Sequence, residues 1–133
     1  MESDKSKFTV LGSIKDIEFG LGFEITRAPW PFFDTTGSQI IFGDYVVVSA
    51  GVYIHTHSHQ FDNKDWRLLP KVDSPIPTFI GNNVFLGVNV QIMPSCKRIG
   101  DFSVIAAGSI VTKNVPECEI WGGNPAKKIG EVK

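Results

Sequence analysis

The sequence predicts an all-β fold, a parallel β-helix built from triangular coils, and three observations predict it. The first is a ladder of nine apolar residues in three groups, each at steps of six: Phe42, Val48 and Ile54; Ile80, Leu86 and Ile92; Ile99, Ile105 and Val111. A step of six belongs neither to a helix, whose period is 3.6, nor to a lone strand, whose period is 2. It is the step at which short strands turn the corners of a coil. The second observation is that the fifth residue of each hexapeptide is small or β-branched: Val46, Val52, Ser58, Val84, Val90, Cys96, Ser103, Ser109 and Val115. The third is that the second residue is often Gly or Ala. One large side chain would then fill the centre of each face, a small one would fit near the corner, and glycine would supply tight-turn dihedrals without a Cβ clash.

The elements follow in chain order. Residues 1–133 read as a single domain, since the length suits one unit. Residues 8–37 read as irregular opening coils, with Phe19 and Ile25 six apart and Ile14, Ile17 and Phe23 as further apolar points. Pro29-Trp30-Pro31 reads as a rigid elbow that caps the first coils. Regular hexapeptides occupy 38–59 and 79–116. Three of them close a coil, and neighbouring coils stack about 4.8 Å apart. The stacking sets Phe42 with Ile80 and Ile99, Val48 with Leu86 and Ile105, and Ile54 with Ile92 and Val111. From Ile80 to Ile99 the offset is 19 residues, so one residue near Lys97–Arg98 must bulge at a corner. Residues 60–78 read as one long extruded loop that packs through Trp66, Leu68 and Leu69. Residues 117–133 read as a short C-terminal cap, with a closing strand near Ile120-Trp121 and a capping stretch at 126–129.

Composition narrows the function classes. The chain is 42% hydrophobic and 20% charged, as an ordinary soluble globular protein is. A net charge of −1 without a basic block argues against a nucleic-acid partner. No apolar run approaches the roughly 20 residues that span a bilayer. The start, MESDKSKF, is polar and has no signal-peptide core. The two cysteines, Cys96 and Cys118, make no disulfide framework, so both thiols are expected free in a reducing, cytoplasmic setting. Cys96 stands at a fifth position and is expected in the core.

All three histidines lie in one hexapeptide, IHTHSH, just before the ladder breaks. In this register Ile54 and Ser58 point inward, while His55, His57 and His59 point outward. A neutral imidazole can take the proton of a hydroxyl as its oxygen attacks. Its tautomer must be fixed by a second group, for which Asp34, Asp62 and a backbone carbonyl are candidates. Histidines on one strand face could also hold zinc. A site of that kind between subunits needs ligands from other coils, and the sequence has no histidine outside the cluster, so no metal is expected.

Two motifs, IAAGSIVTKNVP followed by GGNPAKKI, and HTHSH about 20 residues before IGNNV, resemble those of the hexapeptide-repeat acyltransferases. More narrowly the chain resembles the maltose and galactoside O-acetyltransferase branch, from about residue 38 to the end. The resemblance implies a left-handed β-helix and a homotrimer with sites in the grooves between subunits. It implies acetyl-CoA as donor and a sugar or glycan hydroxyl as acceptor, attacking directly with a histidine as general base. The family's catalytic histidine falls on His59; His57 resembles the first histidine of an H-x-H pair and is the alternative base. Phe85 stands where several relatives carry a tryptophan. Gly87, Val88 and Ala107 match positions lining the pantetheine groove, with a main-chain N–H near Val88 for the oxyanion. Thr112, Lys113, Lys127 and Lys128 resemble residues near the adenine and phosphates, where lysine acts as a point charge. Residues 29–37 depart from the pattern with which some relatives hold the acceptor. An amino-sugar acceptor, a non-catalytic binding module and a carbonic-anhydrase-like metal enzyme are the alternative readings.

Overall fold

The computed structural model describes residues 7–59, 64–65, 67, 72–73 and 76–133. Its strands form three faces, and every pairing within a face of the coiled body is parallel. The first face stacks Ile17–Glu18, Ile40–Phe42, Thr78–Ile80 and Arg98–Ile99. The second stacks Glu24–Ile25, Val47–Val48, Phe85–Leu86, Val104–Ile105 and Glu119–Gly123. The third stacks Thr9–Leu11, Phe32–Asp34, Tyr53–Ile54, Gln91–Ile92 and Ile110–Val111. The chain visits the faces in rotation, so each strand pairs with strands one coil away. That is a parallel β-helix.

The three columns form in the expected register. Ile80 pairs with Phe42 and Ile99, Leu86 with Val48 and Ile105, and Ile92 with Ile54 and Val111. All nine rungs are at most 2% exposed. Each fully buried apolar side chain of this size contributes about 1.5–3 kcal/mol, which makes the axial core the main support of the rod. The extra residue near Lys97–Arg98 is held by Asn114, whose Oδ1 accepts from both the Lys97 and Arg98 amides, at 2.8 and 3.1 Å.

Two details of the repeat are corrected. Left-handed backbone falls at the fourth hexapeptide position, not the second: Tyr45, Gly51, Asn83, Asn89, Phe102 and Gly108 have φ between 56° and 74°. The second-position glycines answer a different need. A Cβ on Gly87 would stand 2.7 Å from the Ala107 nitrogen and 2.8 Å from the Ile105 oxygen, both backbone atoms of the next coil. The second correction concerns Ser58, which is only half-buried, whereas Thr56 is fully buried. The segment obeys the repeat only as far as Thr56. His57–Ser58 then leaves the coil and pairs antiparallel with Val72–Asp73.

The opening coils extend the columns. Phe19 stacks on Phe42 with ring centroids 5.7 Å apart, Ile25 pairs with Val48, and Phe33 pairs with Ile54. Pro29-Trp30-Pro31 is a widened corner of this coil rather than a cap over it: Pro29 O accepts from Gly51 N and Pro31 O from Thr9 N. The end is closed instead by the rings of Phe8, Phe19, Phe23, Phe33 and Phe42, in contact at centroid distances of 4.8–5.7 Å. At the other end Glu119–Gly123 folds back antiparallel as Ala126–Glu131. The loop expected at 60–78, with Asp62, Trp66, Leu68 and Leu69, lies largely outside the described residues; the coil resumes at Thr78. Among the described residues no helix is long and apolar enough to cross a membrane.

Candidate functional site

The chain turns from the third face to the first through Asp34, Thr35, Thr36 and Gly37, and one coil later through Thr56 and His57. Stacking of these two corners brings distant residues together. Nδ1 of His57 stands 2.6 Å from Oδ2 of Asp34, which is fully buried. The other carboxylate oxygen, Oδ1, accepts from the Thr36 amide at 2.9 Å and the Thr36 hydroxyl at 2.6 Å. The Thr56 amide donates to Oδ2 at 3.2 Å, and the Thr56 hydroxyl donates to the Asp34 carbonyl at 2.8 Å. Burial on its own would push the Asp34 carboxyl up. The Thr36 hydroxyl, the Thr36 and Thr56 amides and His57 together outweigh it and hold the group below its ordinary value.

Asp34 is therefore an anion that only accepts, and Nδ1 of His57 carries the proton that it receives. In the neutral ring Nε2 then keeps its lone pair. The His57 side chain is 24% exposed, so the ring reaches from a buried carboxylate to the surface.

The other histidines differ. His59 is exposed, with its ring edge-on to His57 at 5.7 Å. His55 is half-buried, stacked on Tyr53 at 3.8 Å, with Nε2 3.0 Å from Gln91 Oε1. Burial lowers the basicity of His55 against the opposing pull of Gln91 and of the Asp34 charge. Tyr53 stacks in turn on Phe32 at 4.6 Å, and its phenol is pushed up by burial and by Asp34. The alternation that turned three histidines outward does not distinguish these surroundings. Nor does it reveal Thr36 and Thr56; a Thr two residues after Asp34, able to close a local side-chain turn, was the available signal.

The residues expected on the donor side occupy three places. Phe85, 42% exposed, lies on the second face, and Gly87 and Val88 begin the corner that leads to the third. Ala107 is at the same corner one coil on, where Val88 O accepts from Gly108 N at 2.8 Å. Thr112 and Lys113 stand at the corner that carries His57, but on the last coils; Thr112 O accepts from Ser95 Oγ at 2.7 Å. Lys127 and Lys128 are in the terminal hairpin. Lys128 Nζ is 2.7 Å from Glu131 and 3.5 Å from Glu119, while Lys127 is exposed opposite Gly122. The third face, with its two-residue strands Tyr53–Ile54 and Gln91–Ile92, lies between the Val88 corner and the His57 corner. Among the described residues no group of three or more His, Cys, Asp or Glu side chains could hold a metal ion.

A coiled body of this kind has known counterparts. Residues 77–113 match the family model described as the hexapeptide repeat of succinyl-transferase. The chain is 37% identical over 117 residues to the galactoside O-acetyltransferase of Escherichia coli, covering 86% of this chain and 56% of that protein. It superposes on a maltose O-acetyltransferase from Clostridium difficile with a TM-score of 0.73 and 30% identity, covering 98% of this chain and 70% of that one. It superposes on a galactoside acetyltransferase in complex with coenzyme A with a TM-score of 0.77 and 29% identity, covering 94% and 60%. The chain belongs to the hexapeptide-repeat acyltransferases. Within them it resembles the maltose and galactoside branch. It spans about half the length of the curated relatives it matches, 47% of one and 58% of another.

Proposed function

We propose that the protein moves an acetyl group from acetyl-CoA to a hydroxyl of a sugar or glycan, with His57 as the general base. The observation that carries this reading is the 2.6 Å contact between His57 Nδ1 and the buried Asp34 carboxylate. Nε2 of His57 takes the hydroxyl proton as the oxygen adds to the thioester carbon. The carbonyl oxygen becomes an oxyanion, for which a main-chain N–H at Val88 is the proposed donor. When the carbon–sulfur bond breaks, the imidazolium returns its proton to the departing thiolate, and Asp34 has stabilised that imidazolium throughout. No enzyme nucleophile takes part.

The family motif puts His59 first, and the orienting carboxylate of His57 favours the other order. His59, exposed beside the base, is assigned to contact with the acceptor. On the donor side Phe85 is the apolar wall, and Gly87, Val88 and Ala107 line the pantetheine arm. Thr112, Lys113 and Lys127 serve the adenine and phosphates. Lys128 is the weaker phosphate partner, because Glu131 and Glu119 already counter its charge.

The Val88 corner and the His57 corner lie at opposite ends of the third face, an arrangement that supports a site shared between copies of the chain. The outward row Val47, Phe85 and Val104 on the second face is apolar, as a surface against another copy would be. These features favour the left-handed homotrimer of the family. Use of acetyl-CoA fits a cytoplasmic place of action.

The test is to incubate the protein with acetyl-CoA and a panel of saccharides, follow free CoA and identify the product by mass. His57→Gln should retain CoA binding and lose about 10²–10⁴-fold in turnover. Parent-like turnover in His57→Gln removes it as the base; a loss of that size in His59→Gln alone would restore the other assignment. Absence of any acetylated saccharide across the panel would overturn the acceptor class.

A further inference from the structure

We infer that Thr36 is a positioning residue that selects the tautomer of His57, an inference that rests on His57 being the base. One hydroxyl stands between the two members of the pair. Thr36 Oγ1 is 2.6 Å from Asp34 Oδ1 and 3.0 Å from His57 Nδ1. A hydroxyl has one proton, and the shorter contact to an ionised carboxylate takes it. The oxygen therefore turns a lone pair toward Nδ1. Asp34 Oδ2, at 2.6 Å, also presents only lone pairs to the same nitrogen. Nδ1 faces two acceptors and no donor among the described residues. A lone pair on Nδ1 would meet both, so the proton stays there and Nε2 stays open.

Thr36 acts on Asp34 in a second way. Its hydroxyl and amide both occupy Oδ1, leaving Oδ2 directed at the ring. The carboxylate is thus prevented from rotating to offer His57 a different oxygen. The backbone cooperates: Gly37 N donates to Thr56 Oγ1 at 3.0 Å, tying the Thr36 corner to the strand that carries His57. The stacking of the two corners makes Thr36 the third member of the cluster.

The role differs from structural support, and the test uses that difference. Thr36→Val removes the hydroxyl at nearly constant shape, and Thr36→Ser restores it. Ring ¹⁵N shifts of His57 at neutral pH report which nitrogen is protonated, and they need no acetyl transfer. The parent and Thr36→Ser should show Nδ1–H; Thr36→Val should show a growing share of the Nε2–H form. Turnover in Thr36→Val should fall about 10–100-fold, the loss typical of removing a partner that orients an imidazole, while KM for acetyl-CoA stays within about twofold. Thr36→Ser should recover most of kcat. Unchanged ¹⁵N shifts in a folded Thr36→Val, or a Thr36→Ser that fails to recover, would overturn the inference. Failure of the base assignment itself would appear separately, as parent-like turnover in His57→Gln with the tautomer effect intact.

Discussion

Asp34 and His57 lie 23 residues apart in the chain and 2.6 Å apart in space, because consecutive coils stack one corner upon another. The contact binds stability to pH. The Asp34 carboxyl sits below its ordinary value in the fold, despite burial, because Thr36, Thr56 and His57 all favour its charged form. The unfolded chain therefore takes up the proton first as pH falls, and stability drops. The contribution is complete above the ordinary carboxyl value of 3.8 and is lost as pH falls through the lower folded-state value. We expect Asp34→Asn to be less stable than the parent near neutrality by about 1–3 kcal/mol, the cost of unsatisfied buried donors. In denaturant titrations at several pH values the gap should narrow below pH 4. A gap that is constant with pH would remove Asp34 from the acid transition.

The columns of this fold were legible in the sequence because the six-step ladder and the alternation of the strands agree. Phe33 escaped because Ile25 and Phe33 are eight apart, the widened corner at Pro29-Trp30-Pro31 having added residues between them. Ser58 misled because departure from a coil into a hairpin leaves no hydrophobic mark. Asp34 could be named as a candidate partner but not chosen, since the choice depends on how two corners stack. Asp44, Asn82 and Asp101 are residues of turn-forming type. Their second task shows only in the fold: Oδ1 of each accepts the amide of Leu21, Asp44 and Asn82 respectively, at 2.7–2.9 Å, one coil up.

Two glycines separate the two demands that the coil makes. Gly87→Ala puts a Cβ 2.7 Å from the backbone nitrogen of Ala107, so two coils must part. Gly108 has open space around it but a φ of +74°, where an L side chain is strained. We expect Gly108→Ala to cost about 1–2 kcal/mol, the penalty of left-handed backbone. Gly87→Ala should cost about 1–3 kcal/mol from overpacking, and should also raise KM for acetyl-CoA if this corner lines the donor groove. Equal KM in the two variants would detach Gly87 from donor binding.

The terminal lysines should respond unequally. Lys128 is held by Glu131 and Glu119, and its affinity for its proton is raised by the Glu131 contact first. Lys127 extends from the same strand opposite Gly122. Lys127→Gln should weaken CoA binding several-fold in dilute buffer, with the effect shrinking at 0.1 M salt, where the screening length is about 10 Å. Lys128→Gln should change it less. A larger loss in Lys128→Gln would mean that its carboxylate partners give way to the phosphates.

One substitution should have opposite signs at two buried threonines. Thr56 and Thr78 are both fully buried. The Thr56 hydroxyl donates to the Asp34 carbonyl at 2.8 Å and accepts from the Gly37 amide at 3.0 Å. The Thr78 hydroxyl meets no hydrogen-bond partner among the described residues. Valine has nearly the shape of threonine and lacks the hydroxyl. At position 78 it removes a desolvated group that gains nothing from the fold, so Thr78→Val should stabilise by about 1 kcal/mol. For a chain of this size that raises Tm by about 3 °C. At position 56 it strands the Gly37 amide and loosens the corner beneath His57, so Thr56→Val should destabilise by about 1–3 kcal/mol. Thermal melts of the two single variants give the comparison directly. A destabilised Thr78→Val would show that its hydroxyl has a partner in the folded protein, and a neutral Thr56→Val would show that the two corners are held together by their backbone alone.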